Sequence, residues 1–268
     1  MANLFSVQNQ VIVITGGAGV LGSALARGLA EGGAKIAVLD LNAEAAQATA
    51  AELPDALGLR CDVLDRVSIE AAAEAILARY GRVDALINGA GGNHPRATVT
   101  NEQVFFDLPA EAVQFVFQLN FLGSFLPSQV FGKHIAQQGQ GCILNISSMT
   151  SLRPLTRVVA YGAAKAAINN FTAWLAVHLA TEYDPRLRVN AIAPGFFLTE
   201  QNRYLLTEAD TGELTVRGGQ ILDHTPMGRF GVPDDLLGTV QWLLSDAARF
   251  VTGIVVPIDG GFSAYSGV

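Results

Sequence analysis

The chain has 268 residues, of which 50% are hydrophobic and 15% are charged. This length suits one large α/β domain better than two small ones, and the apolar fraction is ample for a deep core, which argues against long disordered stretches. The net charge of −7 argues against a nucleic-acid or membrane-surface binder, because both need a basic surface.

Short β-rich runs alternate with longer, alanine-rich helical runs. Several of the β-rich runs are almost continuous Val, Ile and Leu, as expected of strands buried on both faces. The alternation predicts a Rossmann-type, doubly wound parallel sheet with helices on both faces, in a single domain that spans residues 1–268. In chain order the predicted strands are QVIVIT, KIAVLD, LGLRCDV, VDALING, GCILNIS, RLRVNAIA and GIVVPID, and the predicted helices are 21–31, 43–53, 67–80, 110–137, 158–181 and 234–244.

Two segments, 92–109 and 196–232, interrupt this alternation. Both follow strands, and ligands of such sheets bind beyond the carboxyl ends of the strands. We therefore expect both segments to border the functional site, and residues 196–232 to form a substrate lid, since loops of that length are usually lids or disordered.

The two cysteines, Cys61 and Cys142, lie in apolar runs. Buried thiols are favoured over a disulfide, which fits a reducing compartment. The N-terminal segment lacks the pattern of a signal peptide, and no apolar run reaches the roughly 18 residues of a membrane helix. We expect a soluble, cytoplasmic protein.

A glycine-rich turn, TGGAGVLG, joins the first strand to the first helix. Such turns bring the backbone close to a pyrophosphate at a helix N-terminus, although a plain strand-to-helix turn would also explain the glycines. Asp40 ends the second strand, 18 residues after Gly22, where an acid can bind the adenosine ribose hydroxyls. A strand-end turn or a helix cap is the alternative for Asp40.

The acid also favours NAD over NADP. A 2′-phosphate beside Asp40 would be repelled, and neither LNAEAAQ, which follows it, nor the glycine turn contains a basic residue.

Tyr161 and Lys165 are four residues apart in a predicted helix and so share one face. At about 4 Å and an effective dielectric of about 20, a lysine ammonium would favour the phenolate by about 4 kcal/mol, enough to lower the tyrosine pKa by roughly three before burial opposes it. The pair suits acid/base catalysis, although a surface pair with this spacing also arises by chance. Polar or tight-turn residues also follow successive strands at the same sheet edge, in INGAG, NISS and NAIAPG.

The chain resembles the compact short-chain dehydrogenase/reductases over essentially its whole length. The resemblance rests on TGGAGVLG, Asp40, CDV, INGAG, Asn120, NISS, YGAAK, NAIAPG with Thr199, and the terminal IDGG, with Ser148 lying 13 residues before Tyr161. It implies a seven-stranded parallel sheet, usually a homotetramer, and hydride transfer between a nicotinamide ring and a carbon bearing a hydroxyl or carbonyl group.

The resemblance also implies site residues. Tyr161 would be the acid/base, Lys165 would lower its pKa and bind the nicotinamide ribose, and Ser148 would orient the reacting oxygen. Asn120 would hold a proton-relay water, with a polar bend in a long helix as its alternative. The cofactor would contact residues of the loops after the strands: Gly16, Gly19, Val20, Leu21, Gly22, Asp40, Leu41, Asp62, Val63, Asn88, Gly89, Ala90, Pro194, Gly195 and Thr199, besides Tyr161 and Lys165.

One position departs from the family pattern. Val20 stands where the family has its middle glycine, and Gly19 precedes it. A side chain at this position would crowd the pyrophosphate, so either Gly19 makes the close approach or cofactor affinity falls.

Several polar and basic residues belong to loops near the predicted mouth. We expect them to bind an anionic, hydroxyl-rich substrate with one arginine paired to a carboxylate, although solvent exposure or subunit contacts would also explain the arginines. The candidates are Asn93, His94, Arg96, Ser148, Arg153, Arg157, Gln201, Asn202 and Arg203.

The loops GAGGNHP, LNFLG, APGFFLTEQNR, HTPMGRFG and DGGFSAYSGV resemble the D-mannonate oxidoreductase (fructuronate reductase) subgroup of the family. That implies NAD-linked interconversion of D-mannonate and D-fructuronate. The same chemistry on a gluconate-type acid or a neutral polyol is one alternative, and a dinucleotide-binding sensor without turnover is another. An epimerase or dehydratase is disfavoured, because such relatives usually carry a larger C-terminal domain. No metal site is expected, since His134, His178 and His224 lack metal-ligand spacing.

Overall fold

The computed structural model describes residues 3–198, 206–208 and 211–267. Seven parallel strands form one sheet in the order β3-β2-β1-β4-β5-β6-β7. The strands are β1 (Val11–Thr15), β2 (Lys35–Asp40), β3 (Ala56–Arg60), β4 (Ala85–Asn88), β5 (Gly141–Ile146), β6 (Leu187–Pro194) and β7 (Val255–Ile258). The predicted parallel sheet is therefore confirmed.

Helices cover both faces of this sheet. They are α1 (Val20–Glu31), α2 (Ala43–Ala51), α3 (Arg66–Tyr80), α4 (Ala110–Phe117), α5 (Gly123–Gln138), α6 (Val159–Glu182), α7 (Val216–Asp223) and α8 (Leu237–Leu244). Apolar side chains of α1, α2 and α8 pack with one face of the sheet in one core cluster. Those of α3, α5 and α6 pack with the other face in a second cluster. Burial on both sides explains why the central strands read as continuous aliphatic runs.

The predicted helix 110–137 is not continuous. A π-helical turn, Gln118–Leu122, separates α4 from α5. Within this turn the Asn120 amide donates to the Val116 carbonyl at 2.8 Å and reaches out of the helix to the Gly92 carbonyl at 2.7 Å. A buried side chain that bonds outside the helix accounts for the interruption.

The segment 196–232 is not wholly irregular, because it contains α7. Thr215 caps this helix by accepting a hydrogen bond from the Gly218 amide at 3.0 Å. Ile221 of α7 packs in an apolar cluster with Met149, Leu206 and Phe262. The helix is thus fastened to the segment that follows β5.

Within the described ranges, no helix is long and apolar enough to cross a membrane. The same ranges contain no group of His, Cys, Asp and Glu side chains that could hold a metal ion.

Candidate active site

A cavity of about 510 Å³ lies at the carboxyl edge of the sheet. The strand order reverses between β1 and β4, and open α/β sheets bind ligands beside such a point. Residues that follow six successive strands meet in this cavity, which is why short motifs far apart in the chain share one site. The lining comprises Gly16, Gly19, Val20, Leu21, Gly22, Asp40, Leu41, Cys61, Asp62, Val63, Gly89, Ala90, Gly91, Gly92, Leu119, Ile146, Ser147, Ser148, Tyr161, Lys165, Pro194, Gly195 and Phe197.

The glycine turn contains three glycines that the protein itself requires, Gly16, Gly17 and Gly22, and a Cβ on Gly17 would lie 2.8 Å from the Ile14 oxygen. Gly16 has a φ of +63°, and a Cβ there would lie 2.9 Å from the Ala90 nitrogen. A Cβ on Gly22 would lie 2.3 Å from the Gly16 oxygen. Gly19 differs, because its nearest contact would be the Gly16 oxygen at 3.2 Å. The space beside Gly19 is therefore open toward the cavity, and Val20 begins α1 at the cavity wall.

Asp40 fixes this turn as well as facing the cavity. Its carboxylate accepts hydrogen bonds from the Ala18 amide at 3.2 Å and the Asn42 amide at 3.1 Å. Asp40 therefore caps the turn after β2, and it also lines the cavity in which ribose binding was predicted. A carboxylate has about four acceptor positions, so two remain for ribose hydroxyls.

Sequence reasoning missed a basic residue near Asp40. Arg60 of β3 lies at the register position beside Asp40 of β2. Only the pairing of β2 with β3 reveals this neighbour, because the two residues are 20 apart in the chain.

The loop after β4 is held by the side chain of Thr15. The Thr15 hydroxyl accepts from the Gly89 amide at 3.1 Å and the Ala90 amide at 3.3 Å. Asn88, predicted to line the cofactor site, is outside the cavity lining and is 1% exposed. Its amide donates to Asn145 at 2.8 Å and to Ser128 at 2.9 Å, so it ties β4 to β5 and α5 behind the cavity.

The predicted catalytic side chains meet at the other end of the cavity. Ser148 follows β5, while Tyr161 and Lys165 lie on one face of the first turns of α6. Lys165 is only 4% exposed, and its ammonium donates to the Ile146 carbonyl at 2.7 Å. The ammonium nitrogen lies 5.5 Å from the centre of the Tyr161 ring.

Burial dominates the titration of both side chains. It raises the pKa of Tyr161, and a hydrogen bond with the Ser148 hydroxyl opposes part of the rise. Burial lowers the pKa of Lys165 to about 8. Burial is the larger influence on Tyr161, so the net shift of its pKa is upward. The buried phenol therefore keeps its proton at neutral pH and can act as a proton donor.

Asn120 is fully buried and clamps the loop after β4. Its amide nitrogen donates to the Gly92 carbonyl at 2.7 Å, and its oxygen accepts from the Gly92 amide at 3.1 Å. A Cβ on Gly91 would lie 2.7 Å from the Asn120 oxygen and 3.3 Å from the Lys165 nitrogen. Glycine at position 91 therefore lets Asn120 and Lys165 approach the same stretch of backbone.

Most of the predicted substrate residues do not line this cavity. The Asn93 amide donates to Thr98 at 2.9 Å, His94 accepts from the Arg96 amide at 3.1 Å, and Arg96 forms an ion pair with Glu111 at 2.7 Å. Arg153 donates to the Ser263 carbonyl at 2.9 Å. Of the predicted substrate set, Ser148 lines the cavity. Thr199, Gln201, Asn202 and Arg203 lie outside the described residues.

The cavity has the features that a dinucleotide needs. One end offers a glycine turn at the start of a helix and the Asp40 carboxylate, and the other offers a hydroxyl, a phenol and an ammonium group. The open space beside Gly19 would admit a pyrophosphate, since no side chain fills it.

Comparison with known proteins agrees with this geometry. The family model "short chain dehydrogenase" matches residues 10–210. The uncharacterized oxidoreductase UxuB of Bacillus subtilis (strain 168) is 52% identical over 98% of each chain. The D-threitol dehydrogenase of Mycolicibacterium smegmatis is 35% identical over 97% of this chain and 95% of its own.

A solved structure from Haemophilus influenzae, provisionally assigned as a D-mannonate oxidoreductase, contains bound NAD. It is 46% identical and has a TM-score of 0.91, with 98% of each chain covered. The family match extends over most of the chain, and the fold of this neighbour agrees with it. The protein therefore belongs to the short-chain dehydrogenase family of oxidoreductases.

Proposed function

We propose that the chain is an NAD-dependent dehydrogenase that interconverts a secondary alcohol and a ketone on a sugar acid, with D-mannonate and D-fructuronate as its substrate pair. The observation that carries the proposal is the continuity of one cavity, from Asp40 at one end to Ser148, Tyr161 and Lys165 at the other. A dinucleotide that spans the cavity would bring its reactive ring to the acid/base end.

The proton chemistry follows from three side chains. When bound, NAD supplies the hydride acceptor. During alcohol oxidation the substrate hydroxyl gives its proton to the Tyr161 oxygen as the C–H electron pair leaves and the C=O bond forms; reduction reverses both transfers. Ser148 would donate a hydrogen bond to the reacting oxygen and fix its position. Lys165 would stabilise the phenolate by its charge, since a pKa of about 8 leaves it mostly protonated at pH 7.

The proposal for NAD rests on the Asp40 charge. A 2′-phosphate next to this carboxylate would meet like-charge repulsion, whereas ribose hydroxyls can donate to it. The Haemophilus influenzae neighbour, which contains NAD, supports the same choice. Arg60 lies beside Asp40 in register but does not line the cavity, whereas Asp40 does.

The substrate proposal draws on the relatives. The neighbour assigned to D-mannonate is 46% identical, whereas the D-threitol enzyme, which acts on a neutral polyol, is 35% identical. The higher identity favours an acid over a polyol. Polyol oxidation is the second candidate.

Three further proposals accompany this function. Residues 196–232 would act as the substrate lid of a single catalytic domain, supported by the contact of α7 with the segment after β5. The chain would form a homotetramer, supported by exposed aromatic residues such as Trp174, which is 56% exposed. It would work in the cytoplasm. The tetramer is tested by the mass of the protein in light scattering.

The test of the reaction is NADH absorbance during incubation with D-mannonate and NAD, beside NADP and a panel of other sugar acids and polyols. Tyr161→Phe serves as the control for enzymatic turnover. Turnover of D-mannonate with NAD that the variant abolishes would support the proposal. Turnover of another alcohol alone would retain the chemistry and reject the substrate, and NAD binding without any turnover would favour a sensor.

A further inference from the structure

One face of α6 carries three polar side chains at a spacing of four residues: Tyr161, Lys165 and Asn169. The first two line the cavity, whereas Asn169 does not. Asn169 is half-buried in the middle of the helix, where asparagine is a weaker helix former than alanine. The reason for an asparagine at this position lies in its contacts beyond the helix.

The Asn169 amide joins two serines of the segment that follows β5. Its oxygen accepts a hydrogen bond from the Ser147 hydroxyl at 2.6 Å, and its nitrogen donates to the Ser151 hydroxyl at 2.8 Å. The Ser151 hydroxyl in turn donates to the Ser148 carbonyl at 2.5 Å. Asparagine suits this position because one end of its amide group accepts hydrogen bonds while the other end donates them.

These hydrogen bonds fix the backbone that carries Ser148. The Ser148 carbonyl accepts from the Ser151 backbone amide at 3.0 Å as well as from the Ser151 hydroxyl. The Ser148 hydroxyl accepts from the Thr150 amide at 3.2 Å, which leaves its own proton for another partner. Ser148 is therefore held both at its carbonyl and at its hydroxyl.

The same segment is joined to α6 at a second point. The Lys165 ammonium donates to the Ile146 carbonyl at 2.7 Å, so Lys165 holds the beginning of the segment 146–151 and Asn169 holds its end. Tyr161 belongs to the same helix as both attachments. The separation of the Tyr161 and Ser148 hydroxyls therefore depends on how firmly this segment is held against α6.

We propose that Asn169 is a positioning residue, which acts through Ser151 to hold the Ser148 hydroxyl in place beside Tyr161 for the reaction. The proposal rests on the proposed function, in which Ser148 orients the reacting oxygen and Tyr161 exchanges its proton. Asn169 lies outside the cavity lining, so its effect on the reaction passes through the serines. A displacement of a reacting group by about 1 Å can cost about a hundredfold in rate.

Two variants break the connection at different points. Asn169→Leu keeps a similar volume and removes both hydrogen bonds of the amide, whereas Ser151→Ala removes the hydroxyl that joins Asn169 to the Ser148 carbonyl. Each should lower kcat about tenfold to a hundredfold for whichever alcohol the wild type oxidises. The Kd for NADH should change much less, because neither side chain lines the cavity.

Two further variants serve as matched controls. Ser151→Thr keeps the hydroxyl and should keep most of kcat. Asn170→Leu makes the same substitution at the next residue of α6, which is exposed, and should keep the full kcat. A loss of kcat as large in Asn170→Leu as in Asn169→Leu would overturn the proposal.

A Ser148→Ala background separates positioning from a general loss of structure. Without the Ser148 hydroxyl, Asn169 has nothing to position, so Asn169→Leu should lower kcat little further in that background. Independent effects would instead multiply. A double variant whose kcat falls by the product of the two separate losses would overturn the proposal.

The pH profile gives a second readout. The hydrogen bond with the Ser148 hydroxyl lowers the pKa of Tyr161, so the loss of this bond should raise that pKa further. The increase of the oxidation rate with pH should therefore shift to higher pH in Asn169→Leu and in Ser151→Ala. A loss of folded protein alone would lower the rate without moving this profile.

The outcomes distinguish this proposal from the proposed function. If the wild type oxidises an alcohol and both variants keep its kcat and its pH profile, the positioning role is wrong and the oxidoreductase function stands. If the wild type oxidises none of the alcohols in the panel, the proposed function is wrong and the positioning role with it. Circular dichroism shows whether each variant is folded, and Ser151→Ala carries the test if Asn169→Leu is not.

Discussion

Lys165→Met should leave the protein as stable or make it more stable at pH 7 while it abolishes turnover. The Lys165 ammonium is 4% exposed, and burial lowers its pKa from 10.5 to about 8. At 1.36 kcal/mol for each pKa unit, the native state carries a cost of about 3 kcal/mol for this charge at pH 7. Methionine fills a similar volume without a charge.

One contact opposes this gain. The substitution removes the hydrogen bond of 2.7 Å from the ammonium to the Ile146 carbonyl. A hydrogen bond from a charged donor contributes about 1.5–3 kcal/mol, and water in the cavity that Ile146 lines can replace part of it. The free energy of unfolding should therefore rise by between zero and about 2 kcal/mol at pH 7.

The pH dependence of this difference is the sharper test. Below about pH 8 both the native and the unfolded wild type carry the charge, so the variant keeps its full advantage. Between about pH 8 and 10.5 the native wild type loses the proton first, so its stability rises with pH relative to the variant. The gap should change by about 1.4 kcal/mol per pH unit in this window.

Denaturant unfolding of the nucleotide-free protein at a series of pH values measures the gap. Lys133→Met, which removes an exposed lysine of α5, is the control and should give a gap that does not depend on pH. A Lys165→Met variant that is clearly less stable at pH 7, or a gap that stays constant up to pH 10, would refute the assignment of Lys165 as a desolvated cation.

Three further predictions concern the same cavity. Tyr161→Phe should lower kcat about 10²- to 10⁴-fold without changing the Kd for NADH. Because burial raises the pKa of Tyr161, the rate of alcohol oxidation by the wild type should increase as the pH rises toward alkaline values. A rate that does not depend on pH would contradict this. Asp40→Asn keeps an oxygen that can accept from the Ala18 amide. The variant should raise kcat/KM for NADP relative to NAD at least about tenfold, since contact between like charges costs several kcal/mol. An unchanged ratio would mean that Asp40 does not select the cofactor. Gly19→Ala should weaken NADH binding about tenfold with little change in stability, while Val20→Gly leaves the Kd nearly unchanged; the reverse result would identify Val20 as the residue that crowds the pyrophosphate.

Strand positions were predictable because each depends on a local run of aliphatic residues. The observed helices differ from the predicted ones at the π-helical turn and at α7, and both differences depend on contacts with residues distant in the chain. The π-helical turn exists because Asn120 reaches Gly92, which is 28 residues away in the chain. The helix α7 contains Gly218 and Gly219, which disfavour helix formation, yet a Cβ on Gly218 would lie 2.1 Å from the Leu206 oxygen. Glycine there is a packing requirement, and no local pattern reveals it.

The cavity was predictable to the extent that its residues directly follow strands, as Asp40 and Ser148 do. The roles of the loop arginines were not, because a sequence does not show which guanidinium groups find carboxylates. Arg96 forms an ion pair with Glu111 at 2.7 Å, and Arg153 donates to the Ser263 carbonyl at 2.9 Å. The family resemblance implied that Asn88 lines the cofactor, whereas its hydrogen bonds join it to Asn145 and Ser128 behind the cavity.

Burial disfavours the charged form of two cations in this protein, Lys165 and Arg217. A protein with a net charge of −7 has enough carboxylates to pair every cation, yet Lys165 and Arg217 are partly or fully desolvated and form no ion pair with an Asp or Glu among the residues that the structure describes. A permanent carboxylate partner would remove the free-energy cost of burying each cation. It would also occupy the position where a negative group could bind, and it would cancel the positive potential that attracts such a group. A cation left unpaired lowers the stability of the free protein, and a negative charge that forms beside it, as the Tyr161 phenolate would beside Lys165, relieves that cost. The stability of Lys165→Met should therefore change in the opposite direction to its turnover.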